Sequence, residues 1–486
     1  MKSKLFLFIC TIIVAAMVLA SCGSPATAPS VTNQAVATPA KAQPTVAPAA
    51  TQPAASSTGA KKKVTIFVGF GTGTDPDQVK AQEELSKRFN DSHNDIQMEI
   101  LIVPNAEAEA RFLAMVAGGD APQLVGPIGI DNTARYKDMW EDVTPYIAKD
   151  KYDMSDFYGP SSTLNRYPDL DAGLPLGLYP SFLFYNKDLF DAAGLPYPTH
   201  DYTDKSWNIT ALRDVAMKLT LDANDKTPLD DGFNPATIKQ WGYADTYTDL
   251  RGLLTMFGAP SSGRPTSADY KVAQVNSPEW ILGAQWIHDS IHKDHFFPDS
   301  ASQSAIGANS GDPFSSGKIA IWYSHTWFMS EGLNGLPFKY DLAPLFYNQK
   351  GQRISRISAD VFTIPKAAKN KDAAWEVEKW LLAPDQIVDV CKIYGCLPSR
   401  KSAQEAYLNY MKSRYPNIDY SVIFTAIDYM DNPTFESWVP DWGKVADTLN
   451  NTQSILYTEA NLDVPATMKT TNEDVQKILD AYWANH

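Results

Sequence analysis

The stretch Val64-Thr-Ile-Phe-Val-Gly-Phe70, followed by Gly71-Thr-Gly73, decides the fold class. A compact run of β-branched and aromatic residues that ends in glycines predicts a strand followed by a loop. Downstream, helical apolar spacing alternates with strand-like runs, giving a helix over Val79–Asn90, a strand over Ile96–Val103, a helix over Glu107–Ala117 and a strand over Gln123–Val125. This order predicts an α/β fold, with a mostly parallel sheet and helices on its faces. Ligands of such sheets bind beyond the carboxyl ends of the strands.

The same patterns continue to the end of the chain. They predict strands at Ser181–Tyr185, Ile319–Ser324 and Val361–Ile364, and helices at Lys187–Ala193, Thr210–Thr220, Glu279–His292, Asp372–Leu382 and Asn472–Ala484. The body from Val64 to His486 exceeds one ordinary domain of roughly 100–200 residues. Since all of it reads as one α/β class, we expect two lobes.

The charge balance restricts the class of partner. The 486 residues include 42 Lys and Arg against 56 Asp and Glu. Six lysines and no acidic residue lie in residues 1–63, so the remainder holds 36 basic and 56 acidic side chains, a net charge of −20. A nucleic-acid-binding protein needs a basic face that releases counterions, so we expect no nucleic acid partner. The 12 Trp, 23 Tyr and 21 Phe suit both cores and sites that stack flat ligands.

The N-terminus has the pattern of an export signal. Two lysines precede an apolar run over Leu5–Leu19, which is shorter than a membrane-spanning helix of about 20 residues and typical of a signal peptide. The run ends in Leu19-Ala-Ser-Cys22, which resembles a bacterial lipobox. That resemblance implies a signal peptide over 1–21 and a membrane anchor of lipid on Cys22; a plain secretory signal with a chance cysteine is the alternative. Residues 22–63, rich in Ala, Pro and Thr, then form a low-complexity tether.

Two cysteines remain in the body, Cys391 and Cys396. A close, even pair in an exported protein predicts a local disulfide. Two reduced, buried thiols are the alternative. Two thiols alone do not make a structural zinc site.

Five segments together resemble the family 1 extracellular solute-binding proteins, in the maltose-binding branch. They occur in the order of that family and comprise Ala117–Val125 (AGGDAPQLV), Leu183–Gly194 (LFYNKDLFDAAG), Phe314–Ile321 (FSSGKIAI), Ile364–Trp375 (IPKAAKNKDAAW) and Leu397–Arg400 (LPSR). Two places depart from the pattern: Gln123 replaces an Asp, and His200 to Ser206 lengthens the segment before Trp207. The longer segment is expected to reshape a loop near the cleft.

The resemblance implies a two-lobed periplasmic-binding-protein fold of type II with a ligand cleft between the lobes. Three crossovers are expected, near Leu178–Ser181, Ser358–Ile364 and Lys412–Asn417. The first lobe would comprise residues 64–178 and 361–412. The second would comprise residues 179–360 and the C-terminal helices in 413–486.

A sugar site needs aromatic plates for ring faces and polar groups for hydroxyls. The resemblance implies ligand contacts at Tyr179, Asp245, Tyr247, Trp327 and Trp438, with Trp322, His325 and Trp442 as their neighbours. Position at strand ends or crossovers adds Phe70, Thr72, Asp131, Arg356 and Asp360. Each has a structural alternative, because a Trp is often core, an Asp often caps a helix and an Arg often pairs with a surface carboxylate.

Two features resemble metal sites. His288, His292 and His295 lie near one helical face, but no fourth ligand is evident and a solvated face is the favoured interpretation. Asp222-Ala-Asn224-Asp-Lys226 begins like a calcium loop, yet Thr227 and Phe233 stand where an EF-hand has Gly and Glu. We expect no metal and no cofactor.

The expected function is that of an ABC importer receptor, a monomer held by lipid at the outer face of the cytoplasmic membrane. It would capture a carbohydrate and deliver it to membrane permease subunits without chemistry of its own. One alternative is an exported glycoside-processing enzyme, although no catalytic signature motif is present. The other is a receptor for a non-sugar solute such as a polyamine or a peptide.

Overall fold

The structure, a computed structural model, describes residues 61–158, 161, 164–167, 170–245, 248–258, 263–308, 312–331, 333, 335–431 and 438–486. The predicted signal peptide, Cys22 and the tether up to residue 60 lie outside the described residues, as does Tyr247. None of the helices in the described part is both long enough and apolar enough to cross a membrane.

The described residues contain twelve strands. They are β1 (Lys62–Val68), β2 (Ile96–Ile102), β3 (Leu124–Gly129), β4 (Arg166–Tyr167), β5 (Leu170–Asp171), β6 (Pro175–Asn186), β7 (Leu221–Asp222), β8 (Ile238–Asp245), β9 (Ile319–His325), β10 (Tyr340–Ala343), β11 (Ile357–Thr363) and β12 (Leu397–Pro398).

Sixteen α-helices lie in the same part of the chain. They are α1 (Pro76–Ser92), α2 (Asn105–Ala117), α3 (Ile130–Arg135), α4 (Thr144–Asp150), α5 (Lys187–Ala193), α6 (Ile209–Leu219), α7 (Leu250–Thr255), α8 (Pro278–His292), α9 (Ser300–Gly307), α10 (Phe328–Glu331), α11 (Lys371–Leu381), α12 (Ile387–Tyr394), α13 (Gln404–Arg414), α14 (Ser421–Ala426), α15 (Trp442–Thr458) and α16 (Val464–Trp483).

Ten strands form one mixed sheet in the order β2-β1-β3-β11-β6-β9-β8-β7, with β10 and β12 also paired to β6. Pairing is parallel among β2, β1 and β3 and between β8 and β9, but antiparallel wherever β6 or β11 takes part. The sheet is therefore less parallel than predicted. The reason is that β6 carries the chain from the first half of the sheet to the second and β11 carries it back, so these two neighbours run in opposite directions.

Strand β6 joins the two halves of the sheet. All twelve of its residues are buried. Its residues up to Pro180 pair with β11 and β12, and its residues from Ser181 pair with β9 and β10. Both faces of β6 are covered. Its sequence is therefore a nearly continuous apolar run, without the alternation of polar and apolar residues that a half-exposed strand shows.

Helices complete the two faces. α15 and α16 pack on each other and on α8, while α1, α11 and α12 cover the first half of the sheet. The structure joins Cys391 and Cys396 in a disulfide between α12 and β12. Gly177 of β6 faces this bridge, and a Cβ there would lie 2.6 Å from the Cys396 sulfur. The close approach of β12 to β6 thus requires glycine at this position.

Candidate functional site

A cavity of about 500 Å³ lies where the carboxyl ends of β1 and β3 meet the crossing strands β6 and β11. Both halves of the sheet supply its walls. The lining residues are Phe70, Gly71, Thr72, Thr74, Asp75, Asn105, Gly129, Ile130, Asp131, Asn132, Tyr179, Arg251, Trp327, Arg356, Ile357, Ser358 and Asp360. The position is where α/β sheets bind ligands, because loops gather at the carboxyl ends of strands.

One part of the cavity wall combines a carboxylate with aromatic rings. The Tyr179 hydroxyl donates to Asp360 Oδ2 at 3.2 Å. The rings of Tyr179 and Trp327 meet edge to face with centroids 5.4 Å apart, and Trp327 stacks on His325 at 4.0 Å. Burial raises the pKa of Asp360 to about 7, and the hydrogen bond from Tyr179 opposes that rise. A buried carboxyl group and an aromatic plate therefore stand together.

Another part of the cavity wall holds two arginines, each bound to a carboxylate. Arg251 donates to Asp431 at 2.6 Å, with both side chains fully buried, and Arg356 donates to Asp249 at 2.9 Å. Asp431 also accepts the backbone N–H of Ile357 at 2.9 Å. Burial alone would raise the pKa of Asp249, but Arg356 and Arg251 lower it. These pairs hold the guanidinium groups in fixed positions at the cavity wall.

Asp131 lies on α3, next to a second cavity of about 300 Å³ that also touches Arg251 and Arg356. Its Oδ1 accepts a hydrogen bond from the indole of Trp442 at 2.7 Å. Asp131 thus connects the end of β3 with the first residue of α15. Trp442 lines this second cavity rather than the larger one.

The structure brings together Phe70, Thr72, Asp131, Tyr179, Trp327, Arg356 and Asp360 among the predicted contacts. Other predicted residues have different surroundings. Trp322 is fully buried and stacks on Phe314 at 5.5 Å, and His325 lies behind Trp327 with its Nε2 3.0 Å from Thr248 Oγ1.

Asp245 and Trp438 also lie away from the larger cavity. Asp245 is buried and accepts from the Tyr457 hydroxyl at 2.8 Å, and burial raises its pKa to about 7 despite that hydrogen bond. Trp438 is 43% exposed and donates to the Arg166 carbonyl at 3.4 Å.

Several lining residues escaped the sequence analysis. Thr74, Asp75 and Asn105 follow β1 and β2, so the rule that selected Thr72 also points to them. Arg251 has no such signal, because it comes from α7 and reaches the cavity only through tertiary packing.

His288 and His292 of α8, and His295 just after it, bind backbone carbonyls. His288 Nε2 lies 3.0 Å from the Glu459 carbonyl and His292 Nε2 lies 3.2 Å from that of Leu456, at the C-terminal end of α15. His295 Nδ1 lies 3.1 Å from the carbonyl of Ile291. The three rings are therefore at least partly buried against neighbouring backbone, and the prediction of a solvated helix face is wrong for them. No metal-like group of side chains occurs among the described residues.

The calcium-like loop is closed by its own groups. The Asp222 carboxylate accepts backbone N–H groups of Asn224, Lys226 and Asn234 at 2.8–3.0 Å. The Lys226 ammonium donates to the Asp231 carbonyl at 2.5 Å. The Lys226 ammonium thus binds a carbonyl of this loop, whose sequence lacks the Gly and Glu of an EF-hand.

The sequence and the structure both have known relatives. Residues 72–387 match the model of the bacterial extracellular solute-binding protein family. A putative binding protein of Brucella abortus is 22% identical over 286 residues, which span 59% of this chain and 62% of the relative. The match therefore covers less than two thirds of the relative's length.

Solved structures of the same fold include an ABC substrate-binding protein from Listeria monocytogenes in complex with cycloalternan. It is 22% identical, with a TM-score of 0.72 over 86% of this chain and 99% of that chain. Maltose-bound MalE3 of T. maritima is 18% identical, with a TM-score of 0.66 over 85% and 99% of the two chains. The family match spans well over half of the sequence, and the chain belongs to the bacterial extracellular solute-binding protein family.

Proposed function

We propose that this protein captures a carbohydrate in the larger cavity and delivers it to the permease of an ABC importer. The observation that carries the proposal is the cavity itself, where the Trp327 and Tyr179 rings stand beside carboxylates and fixed guanidinium groups. Ring faces of a sugar pack on aromatic plates and its hydroxyls bond to charged groups. The protein performs no chemistry, and closure on the ligand gives the transporter a state to recognise.

The comparisons support the choice of ligand class. Proteins of the same fold were solved with cycloalternan, with α-D-tagatose and with maltose. These proteins are at most 22% identical to this chain.

We further propose the contacts and the division of the chain. The ligand contacts are the predicted residues that line the larger cavity, and Trp442, which lines the adjoining smaller cavity, extends the site. The lobes change at Pro180–Ser181, where β6 exchanges one set of partners for another, and before Ile357, where β11 begins.

The N-terminal pattern supports export and attachment. A signal peptide over 1–21, lipid on Cys22 and a low-complexity tether up to residue 61, just before β1, would hold a monomeric receptor at the outer face of the cytoplasmic membrane. Mass spectrometry of the chain from its native cell tests this, because lipid on Cys22 changes the mass of the N-terminal peptide and a plain secretory signal does not.

Thermal unfolding of the full-length protein against mono- and oligosaccharides, polyamines and short peptides tests the ligand class. A ligand at 100 times its Kd stabilises by about 2.7 kcal/mol, which is a measurable shift of Tm. We expect a shift with one class of sugar and recovery of that sugar intact. Trp327→Ala should abolish the shift, and Trp483→Ala, on the exposed face of α16, should retain it. A shift with polyamines or peptides alone, or cleavage of the sugar, would contradict the proposal.

A further inference from the structure

The charges around the larger cavity do not balance. Its two cations are occupied, since Arg251 binds Asp431 and Arg356 binds Asp249. Three further carboxyl groups line the wall: Asp131 lies 3.9 Å from Arg135, whereas no basic side chain of the described residues forms an ion pair with Asp75 or Asp360. The cavity therefore presents excess negative charge to its contents, which disfavours an anionic ligand and favours a cationic one.

Asp360 is the least compensated of these carboxylates. It is only 8% exposed, and no basic side chain of the described residues forms an ion pair with it. Its one hydrogen bond within that part of the chain comes from the Tyr179 hydroxyl to Oδ2, which leaves Oδ1 without a donor. A buried carboxylate with a single neutral donor lacks the partners that such groups normally have.

Asp360 lines the cavity beside two glycines. A Cβ on Gly129 would lie 3.2 Å from Asp360 Oδ1, and a Cβ on Gly71 would lie 3.6 Å from Oδ2. Glycine at both positions therefore leaves space beside the carboxylate, at the ends of β3 and β1. This space can hold a hydrogen-bond donor of a bound molecule, and Asp360 Oδ1 can accept its hydrogen bond.

The rings beside Asp360 suit one class of donor. Tyr179 and Trp327 present aromatic surface next to the carboxylate, and Phe70 lines the same cavity. Aromatic faces attract cations through the ring quadrupole, and a carboxylate binds an ammonium by charge-assisted hydrogen bonds. A neutral hydroxyl would gain much less from this combination.

We propose that the bound carbohydrate is an amino sugar whose protonated amine lies between the Asp360 carboxylate and the rings of Tyr179 and Trp327. The inference rests on the proposed capture of a carbohydrate and adds the charge of that ligand. The guanidinium groups of Arg251 and Arg356, whose charges Asp431 and Asp249 neutralise, then bind hydroxyls of the same molecule.

Calorimetric titration of the full-length protein with matched sets of sugars tests the proposal. Each set contains the amine, its N-acetyl derivative and the hydroxyl parent: the glucosamine, galactosamine and mannosamine monosaccharides, and the β-1,4-linked dimers and trimers of glucosamine. We expect at least one amine to bind about tenfold or more tightly than its two counterparts. Because acetylation removes the charge on the probe, this comparison needs only the wild-type protein.

Variants then locate the charge. Asp360→Asn keeps the shape of the side chain and should remove the preference for the amine. Asp138→Asn, an exposed substitution that changes the net charge equally, should leave it intact.

Three results would overturn the inference: equal or tighter binding of the neutral sugars, binding of no amine, or an amine preference that survives in Asp360→Asn. The failure of the proposed function is distinguishable, since binding of neutral sugars alone would refute the amine and support carbohydrate capture. The absence of binding by every sugar in the titration, together with no shift of Tm in the thermal panel, would refute both the amino-sugar inference and the proposed capture of a carbohydrate.

Discussion

Glu378 of α11 is a carboxyl group buried in the core, and no basic side chain of the described residues forms an ion pair with it. Its Oε1 accepts the backbone N–H of Leu174 at 2.7 Å, and its Oε2 has no hydrogen-bond partner among the described residues. Burial raises its pKa to about 8, against the hydrogen bond from Leu174. The native protein thus holds a proton there that the unfolded chain loses near its ordinary pKa of 4.5.

This proton makes stability depend on pH. Between about pH 5 and 8 the native state binds more protons at Glu378 than the unfolded state, so the free energy of unfolding falls as pH rises. Glu378→Gln should remove roughly 1–3 kcal/mol of that fall. Urea unfolding at several pH values measures it, with Glu376→Gln, an exposed residue of the same helix, as the control. An unchanged slope of stability against pH in Glu378→Gln would refute the assignment.

Individual site residues differed in how far the sequence could predict them. Phe70 and Thr72 were predicted because a strand followed by glycines marks a carboxyl end locally. The sequence analysis placed Trp322 near the ligand, but side chains alternate between the two faces of β9 and that of Trp322 points into the apolar core. Trp327, which follows the strand, reaches the cavity. No local pattern distinguishes an indole that packs on Phe314 from one that faces a ligand.

At the scale of the helix, the C-terminal end of α15 depends on its partner α8. The last carbonyls of a helix have no partners within it and need outside donors. His292 and His288 supply these donors to Leu456 and Glu459. Burial lowers the pKa of His292, which favours the neutral ring, and a neutral ring still donates through its Nε2–H.

His292→Ala should therefore lower the free energy of unfolding by about 0.5–1.5 kcal/mol through the lost hydrogen bond. His295→Ala should cost less, because the His295 ring, just beyond the end of α8, bonds to the carbonyl of Ile291 four residues earlier rather than to the end of α15. Zinc should stabilise neither the wild type nor the variants. Chemical denaturation with and without zinc provides the measurement, and a zinc-dependent rise in stability that His292→Ala abolishes would restore the metal interpretation.

The elements themselves were predicted wherever the local pattern was strong. The strands β1 and β2 and the helix α2 begin and end within about two residues of their predicted positions. Strand β11 starts four residues earlier than predicted, at Ile357, because Ser358, Ala359 and Asp360 form a strand only through pairing with β6 and β3. Helix α16 starts at Val464 rather than Asn472, since packing on α8 and α15 stabilises its Thr-rich first turns.

At the scale of the molecule, α15 links the two halves of the sheet beside the site. Its Trp442 donates to Asp131, and its Asp447 binds Arg135 at 3.0 Å, both partners lying on α3 after β3. On its other side α15 packs on α7 and α8. These contacts hold α3 against the second half of the sheet and so close the flank of the cavity.

If ligand binding selects this closed arrangement, weakening the link should lower affinity by population shift. Trp442→Phe keeps an aromatic ring and removes the donor to Asp131, a net loss of about 0.5–1.5 kcal/mol, or roughly 2- to 10-fold in Kd. Calorimetry with the sugar selected by the thermal panel measures the change, and small-angle scattering should show a larger radius of gyration in the ligand-free variant. Trp483→Phe, whose indole donates to Tyr270 on the far side of α16, is the matched control. Equal affinity and equal dimensions in Trp442→Phe and the wild type would contradict this prediction. They would show that the hydrogen bond from Trp442 to Asp131 does not contribute to closure, which would then depend on β6 and β11.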